Sequence, residues 1–189
     1  MESKVSGFIR AEDVDFNNLA QVLAAALSNE KRGRELYLQY ARTVTSPISK
    51  RVFGELAKQE LRHIDDIKEF ITSLDVGPAM EVNVTDMVNN DSWKQAKTFF
   101  GKLTKDLKDR VEPSDDDIKS HETAMEIEKA GYEYYQKAME KTKKPEMKKF
   151  FAWLVEQEKA HYMLIKNALD FISNTEAWYA GEEHWLLEG

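Results

Sequence analysis

The chain carries the same segment twice, 98 positions apart. Residues 26–71 align with residues 124–169 without a gap, and 15 of the 46 positions are identical. In the first copy the shared string E-K-x-G-x-E-x-Y begins at Glu30, and the shared string Q-E-x-x-H begins at Gln59. Because similar sequences fold alike, we predict two similar substructures that are related by an approximate two-fold axis.

Apolar residues recur at steps of three and four along four long segments, which is the pattern of amphipathic helices. Ser46 and Pro47 suit the N-cap and first position of one helix, and three aspartates after Ser114 suit the start of another. Only a few residues separate the first helix from the second and the third from the fourth, so each pair forms an antiparallel hairpin. The helices are predicted over about 15–44, 46–74, 114–141 and 144–174.

Some forty residues, about 75–113, connect the two hairpins. They contain turn signals and a predicted short amphipathic helix from Trp93 to Leu107. A connection of this length can cross the whole bundle. The sequence therefore predicts an all-α fold, a four-helix bundle made of two repeated antiparallel hairpins and one long crossover. We expect a single domain over 1–189, with hairpin repeats at about 15–74 and 114–174 and an aromatic tail at 175–189.

Four glutamates lie in the apolar stripes of these helices rather than on charged faces. Their neighbours at three and four residues are mostly Leu, Ala, Ile, Val and Gly. In a chain with 32% charged residues an arbitrary glutamate lies in solvent, so this placement is unusual. Burying each of them charged and unpaired costs several kcal/mol. Two of the four are followed by a histidine one helical turn later.

Divalent cations resolve this cost, because two of them balance four carboxylates and a neutral imidazole adds a nitrogen ligand to each. Dinuclear sites in helix bundles have a characteristic donor set: one glutamate from each of two helices and a Glu-x-x-His motif from each of the other two. Which glutamates bridge the two ions stays open. The predicted ligands are Glu30, Glu60, His63, Glu128, Glu158 and His161.

Composition excludes several other functions. There is no cysteine, so disulfides, iron–sulfur clusters and cysteine-based zinc sites are excluded. A net charge of −7 gives no electrostatic reason for nucleic acid or an anionic membrane to bind. No segment has the apolar length of a membrane span or of a secretion signal, so we expect a cytoplasmic protein.

With these motifs the chain resembles the ferritin-like di-iron carboxylate proteins, and among them most the rubrerythrin family. The resemblance covers both hairpins and implies two iron ions, although manganese or zinc also fits the donor set. It implies that Tyr37 and Tyr135 hydrogen-bond ligand carboxylates across the core; ordinary core packing is the alternative. It also implies reduction of hydrogen peroxide or dioxygen with electrons from an external donor, such as a rubredoxin-like protein.

Two departures from the family pattern stand out. The four-cysteine rubredoxin-like centre is absent, so electrons are expected from a separate partner. The additional glutamate that rubrerythrins carry three residues after the third-helix ligand is Gly131 here, and its repeat counterpart is Gly33. A ferritin-like ferroxidase and a metal-stabilised, non-catalytic binding module are therefore kept as alternatives, and a homodimer is left open.

Two further histidines are not included in the predicted site. His121 lies two turns before Glu128, about 10 Å away along the helix, so we interpret it as a surface or helix-end residue. His184 lies in the tail and is interpreted as structural. The aromatic residues Trp178, Tyr179 and Trp185 predict that this tail packs on the bundle or on another subunit.

Overall fold

A computed structural model describes residues 7–75, 91–106, 112–175 and 178. Within these ranges the chain forms five α-helices and one short 3-10 turn, with no strand, so the predicted all-α bundle is confirmed. The short turn covers Ala11–Asp13. The helices are α1 (Leu19–Thr43), α2 (Pro47–Asp75), α3 (Ser92–Asp106), α4 (Asp115–Lys141) and α5 (Pro145–Ser173).

Capping side chains determine where the long helices begin. The prediction that the first helix starts at about residue 15 is wrong, because the Asn18 side chain accepts a hydrogen bond from the Gln21 N–H and starts α1 at Leu19. The Ser46 hydroxyl accepts from the Ser49 N–H at 3.3 Å, as expected of an N-cap. Ser114 forms a capping box at the start of α4.

The helices pack as two hairpins, α1 against α2 and α4 against α5. Contacts of α2 with α5 and of α1 with α4 close the bundle, and the crossover helix α3 lies against α5. Trp178 packs edge-on against Phe171 and Phe100, with ring centroids 5.2 Å and 5.6 Å away, so this residue of the tail contacts the bundle. The rest of the predicted tail from 176 on, including Tyr179, His184 and Trp185, lies outside the described residues.

The buried apolar side chains form two clusters, one toward each end of the bundle. In α1, for example, Ala26 belongs to one cluster and Tyr37 to the other, with Glu30 between them. Each of the other three long helices also has its candidate ligands between residues of the two clusters. The polar site is therefore a layer between two apolar regions. No helix among the described residues has the length and apolar character needed to cross a bilayer.

The Asp117 carboxylate joins the two hairpins. It accepts hydrogen bonds from the N–H and hydroxyl of Ser114 at 2.8 Å and 2.7 Å, at the start of its own helix. It also accepts from the N–H of Thr45 at 2.9 Å and of Ser46 at 3.1 Å, in the turn before α2. Burial raises the pKa of Asp117, but these hydrogen bonds outweigh burial and lower it to about 2.

We predict that Asp117→Ala lowers the free energy of unfolding by about 2–4 kcal/mol, because it removes several charge-assisted hydrogen bonds and leaves buried donors unpaired. Urea unfolding monitored by circular dichroism measures this change. The control is Asp116→Ala, an exposed aspartate in the same helical turn, for which we expect a change within about 0.5 kcal/mol. Equal losses in the two variants would contradict the proposed role of Asp117.

Candidate metal centre

The six predicted ligand side chains are all buried and meet at the middle of the bundle. Each is at most 5% exposed to solvent. Glu30 comes from α1, Glu60 and His63 from α2, Glu128 from α4, and Glu158 and His161 from α5. Their role as metal ligands stays a prediction. The structure brings all six together as the repeat requires.

Each histidine presents Nδ1 to the carboxylates. His63 Nδ1 lies 3.1 Å from Glu30 Oε2 and 3.5 Å from Glu60 Oε2. His161 Nδ1 lies 3.2 Å from Glu60 Oε1 and 3.4 Å from Glu128 Oε2. The two imidazole rings are nearly parallel, at 17°, with centroids 5.1 Å apart. Glu60 thus lies between the two histidines and contacts both.

Three overlapping groups of side chains have donor atoms within 4.8 Å of one another, close enough to surround an ion. Glu158 belongs to two of these groups, one with residues of the first hairpin and one within the second. Glu158 is therefore shared between the two halves of the site. The groups are Glu60–His63–His161, Glu30–His63–Glu158 and Glu128–Glu158–His161.

Two tyrosines connect the hairpins at the site in a reciprocal way. Tyr37 of α1 donates a hydrogen bond to Glu128 of α4, and Tyr135 of α4 donates to Glu30 of α1. Burial, followed by the nearby carboxylates, raises the pKa of both phenols well above the usual value, so both stay protonated donors. Each tyrosine thus donates to the glutamate of the other hairpin, as an approximate two-fold axis requires. Both tyrosines are also fully buried, so hydrogen bonding and core packing occur together.

Without a cation the cluster holds protons instead. Burial and then repulsion from Glu60 raise the pKa of Glu30 to about 8, and burial and Glu128 raise that of Glu158 well above its usual value. Burial lowers the pKa of His63, but hydrogen bonds to Glu30 and Glu60 outweigh it and raise the pKa to about 9. Burial also raises the pKa of Glu60, but hydrogen bonds with Glu30 and the two histidines outweigh burial and bring this pKa well below its usual value. Burial likewise lowers the pKa of His161, but the nearby Glu128 and Glu60 carboxylates outweigh burial and raise it to about 10. Protons on the histidines and on Glu30 and Glu158 therefore take the place of the missing cations.

This donor set fits divalent cations. Glu128 Oε2 and His161 Nδ1 are buried without a hydrogen-bond partner, and both face the cluster. Carboxylate oxygens and imidazole nitrogens are ligands for iron, manganese and zinc. Buried polar atoms without a partner and carboxylates that must take up protons both cost free energy. Binding of cations removes both costs.

The Gln59 side chain is a contact that the sequence analysis did not assign. Its carbonyl oxygen lies 3.0 Å from His161 Nε2, and because that oxygen only accepts, Nε2 carries the hydrogen. Nδ1 is the nitrogen that faces the carboxylates, and its lone pair would be directed at a cation once the Nδ1 proton is lost, as a metal ligand requires. The signal was present in the sequence, since Gln59 and Gln157 belong to the repeated Q-E-x-x-H string.

Two other residues near the site differ from expectation. His121 is completely buried, so the interpretation as a surface residue is wrong: its ring packs on Phe53 at 4.7 Å and its Nδ1 lies 2.8 Å from the Asp117 carbonyl oxygen. The packing partner Phe53 was not foreseen. Trp153 packs edge-on against His63 at 5.5 Å. Its repeat counterpart is Glu55, so the duplication gave no signal for it.

The two repeated glycines fit around the glutamates differently. A Cβ atom added to Gly33 would lie 3.7 Å from Glu60 Cδ, an ordinary contact, whereas one added to Gly131 would lie 2.7 Å from Glu158 Oε2. The Glu158 carboxylate therefore occupies space that any side chain at 131 would need. This close approach breaks the two-fold symmetry of the site.

A cavity of about 320 Å³ reaches all four glutamates. Residues 8–12 form part of its wall and are held by Asn29, which accepts from the Ile9 N–H at 2.8 Å and donates to the Ile9 carbonyl oxygen at 2.9 Å. Glu126 and Glu133 also line this cavity. It is a polar, acidic route to the cluster.

A helical bundle that buries a carboxylate–histidine cluster able to hold metal ions is the architecture of ferritin-like proteins. A sequence model of the rubrerythrin family, described as Rubrerythrin, matches residues 21–169, which include both hairpins and all six candidate ligands. The chain therefore belongs to the rubrerythrin family, whose members are di-iron carboxylate proteins. No curated protein and no solved structure matches the chain.

We predict that Gly131→Ala displaces the Glu158 carboxylate and weakens binding of at least one metal ion by about tenfold or more, as expected when a ligand is misplaced. Gly33→Ala is the matched control, because its added methyl group fits, and we expect unchanged metal affinity. Calorimetric titration of Fe(II) or Mn(II) into the metal-free variants measures both. Equal affinities in the two variants would contradict the close approach at Gly131.

We predict that chelation lowers the Tm more at pH 8 than at pH 5. The raised pKa values of Glu30 and Glu158 mean that the metal-free folded state binds more protons than the unfolded state. That contribution to stability is lost as pH rises from about 4.5 to about 8. His63, raised to about 9, acts in the same direction above about 6.5. The lowered pKa of Glu60 changes the stability only below about pH 4.5, outside the range compared here.

Differential scanning calorimetry of metal-loaded and EDTA-treated protein tests this prediction. A difference of about 2 kcal/mol between the two pH values corresponds to about 4–8 °C in Tm for a chain of this size. Glu158→Gln removes one of the repelling charges and should reduce the dependence on pH, while Glu156→Gln, an exposed neighbour, should not. An equal effect of EDTA at both pH values would mean that these carboxylates are hydrated.

Proposed function

We propose that this protein is a non-haem di-iron oxidoreductase that reduces hydrogen peroxide, or dioxygen, with electrons from an external donor protein. The observation that carries the proposal is the buried cluster of four glutamates and two histidines, which a polar cavity reaches from outside. Membership of the rubrerythrin family supports iron as the metal. When bound, two adjacent ferrous ions supply two electrons together.

The contacts at the site suggest how the ligands divide. His63 with Glu30 would hold one ion and His161 with Glu128 the other, because each histidine Nδ1 lies next to its glutamate. Glu60, which contacts both histidines, and Glu158, which belongs to donor groups of both hairpins, would be the ligands shared between the two halves of the site.

The surrounding residues would orient these ligands and exclude water. Tyr37 and Tyr135 hold the Glu128 and Glu30 carboxylates by hydrogen bonds, and Gln59 holds the His161 ring. The apolar clusters on both sides of the site keep it dry. A small polar oxidant can reach the glutamates through the acidic cavity.

The electron donor must lie outside these 189 residues, because they contain no cysteine for an iron–sulfur or rubredoxin-like centre. A small rubredoxin-like protein is the donor that the family relationship favours. Nothing in the net charge of −7 favours nucleic acid or an anionic membrane as a partner.

Stopped-flow mixing of anaerobic, Fe(II)-loaded protein with hydrogen peroxide or with dioxygen tests the proposal. We expect faster oxidation by peroxide, with two irons oxidised per chain, and loss of the reaction in Glu158→Ala. Glu146→Ala, an exposed residue of the same helix, is the control. Oxidation of many irons per chain would indicate a ferroxidase instead, and no reaction would indicate a non-catalytic binding module.

A further inference from the structure

A second cavity reaches the metal centre from another side. Its volume is about 600 Å³, and its innermost polar residues are Glu128 and Glu158 of the candidate site. Its walls come from the crossover helix α3 and from the second hairpin. The largest side chains in those walls are Trp93, Tyr132, Tyr162 and Met163, all half-buried.

The size and lining of this cavity differ from what hydrogen peroxide needs. A water molecule occupies about 30 Å³, and hydrogen peroxide is only somewhat larger. A volume of about 600 Å³ with aromatic walls is instead typical of sites for small organic molecules, which lie between about 300 and 1,000 Å³. The acidic first cavity suits a small polar oxidant; the second suits a molecule with a hydrocarbon part.

The charged groups in the walls are largely neutralised by their neighbours. Lys159 Nζ pairs with Glu156 at 2.7 Å and lies over the Tyr132 ring at 5.6 Å from its centroid. Lys129 Nζ lies 4.0 Å from Glu133. The walls therefore favour an uncharged ligand. At the inner end, Glu128 and Glu158 bring the candidate metal centre within reach of a ligand in this cavity.

Two of the lining side chains are less polar than their counterparts in the first repeat. Tyr132 corresponds to Arg34 in the first repeat, and Met163 corresponds to Asp65. The hairpin scaffold can thus be built with charged residues at these positions. The crossover helix α3 lies against α5, so packing explains part of the apolar character of this side, and the cavity is the part that the helices leave open to a ligand.

We propose that this cavity binds the hydrocarbon part of an organic hydroperoxide, ROOH, with the hydroperoxide group directed at Glu128 and Glu158. The inference rests on the proposed peroxide-reducing function and names a further class of substrate for the same centre. Reduction breaks the O–O bond, consumes two electrons and two protons, and yields ROH and water. The electrons are those that the external donor supplies in the proposed function.

Binding is tested with 2-phenyl-2-propanol, the unreactive alcohol that reduction of cumene hydroperoxide would produce. Isothermal titration calorimetry with the full-length, metal-loaded protein should detect this alcohol. Met163→Asp and Tyr132→Arg, which introduce the residues of the first repeat, should each weaken binding by about tenfold or more, corresponding to about 1.4 kcal/mol. Leu61→Lys, which introduces the second-repeat residue into the exposed face of the first hairpin, is the matched control and should bind as the unchanged protein does.

Kinetics with both peroxides separate the inference from the proposed function. We expect Met163→Asp to lower the ratio of kcat/KM for cumene hydroperoxide to that for hydrogen peroxide by about tenfold, with no change of this ratio in Leu61→Lys. If the protein reduces hydrogen peroxide but neither binds the alcohol nor reduces cumene hydroperoxide, the inference is overturned and the proposed function stands. Failure to reduce either peroxide would overturn both.

Discussion

Four carboxylates in the interior of a helical bundle repel one another and lose their hydration, and most of the structure near them compensates for this. Tyr37 and Tyr135 donate to two of the carboxylates, and the two histidines contact three of them. These contacts are insufficient, because the pKa of Glu30 still rises to about 8. Two divalent cations would supply the missing charge, and in that case the metal would be part of the folded core.

The duplication explains how one chain assembles this site. A single hairpin provides two glutamates and one histidine, and its twin provides the same set from the opposite side, with the tyrosines exchanged between them. The departures from symmetry are concentrated in the second repeat. The close approach of Glu158 to Gly131 has no equivalent at Gly33, and Met163 beside the apolar cavity is replaced by Asp65 in the first repeat. Symmetry thus provides the candidate ligands, and asymmetry differentiates the surroundings of the two halves of the site.

The long helices and the six clustered residues could be predicted because each depends on a periodic or repeated local signal. The start of α1 could not, because several polar residues precede Leu19 and only the hydrogen bond of Asn18 selects among them. The burial of His121 was missed because it depends on contact with Phe53 in another helix. The cavities were likewise missed, since they are spaces between helices that no single stretch of sequence records.

The central claim is that the buried glutamates and histidines share two metal ions. A crystal structure of protein purified with its native metal, with anomalous diffraction collected at the iron and manganese edges, tests this most directly. We expect two anomalous peaks about 3.5–4 Å apart, each within bonding distance of one histidine and at least two carboxylates. A single peak, or none with the six side chains in their described positions, would contradict the account.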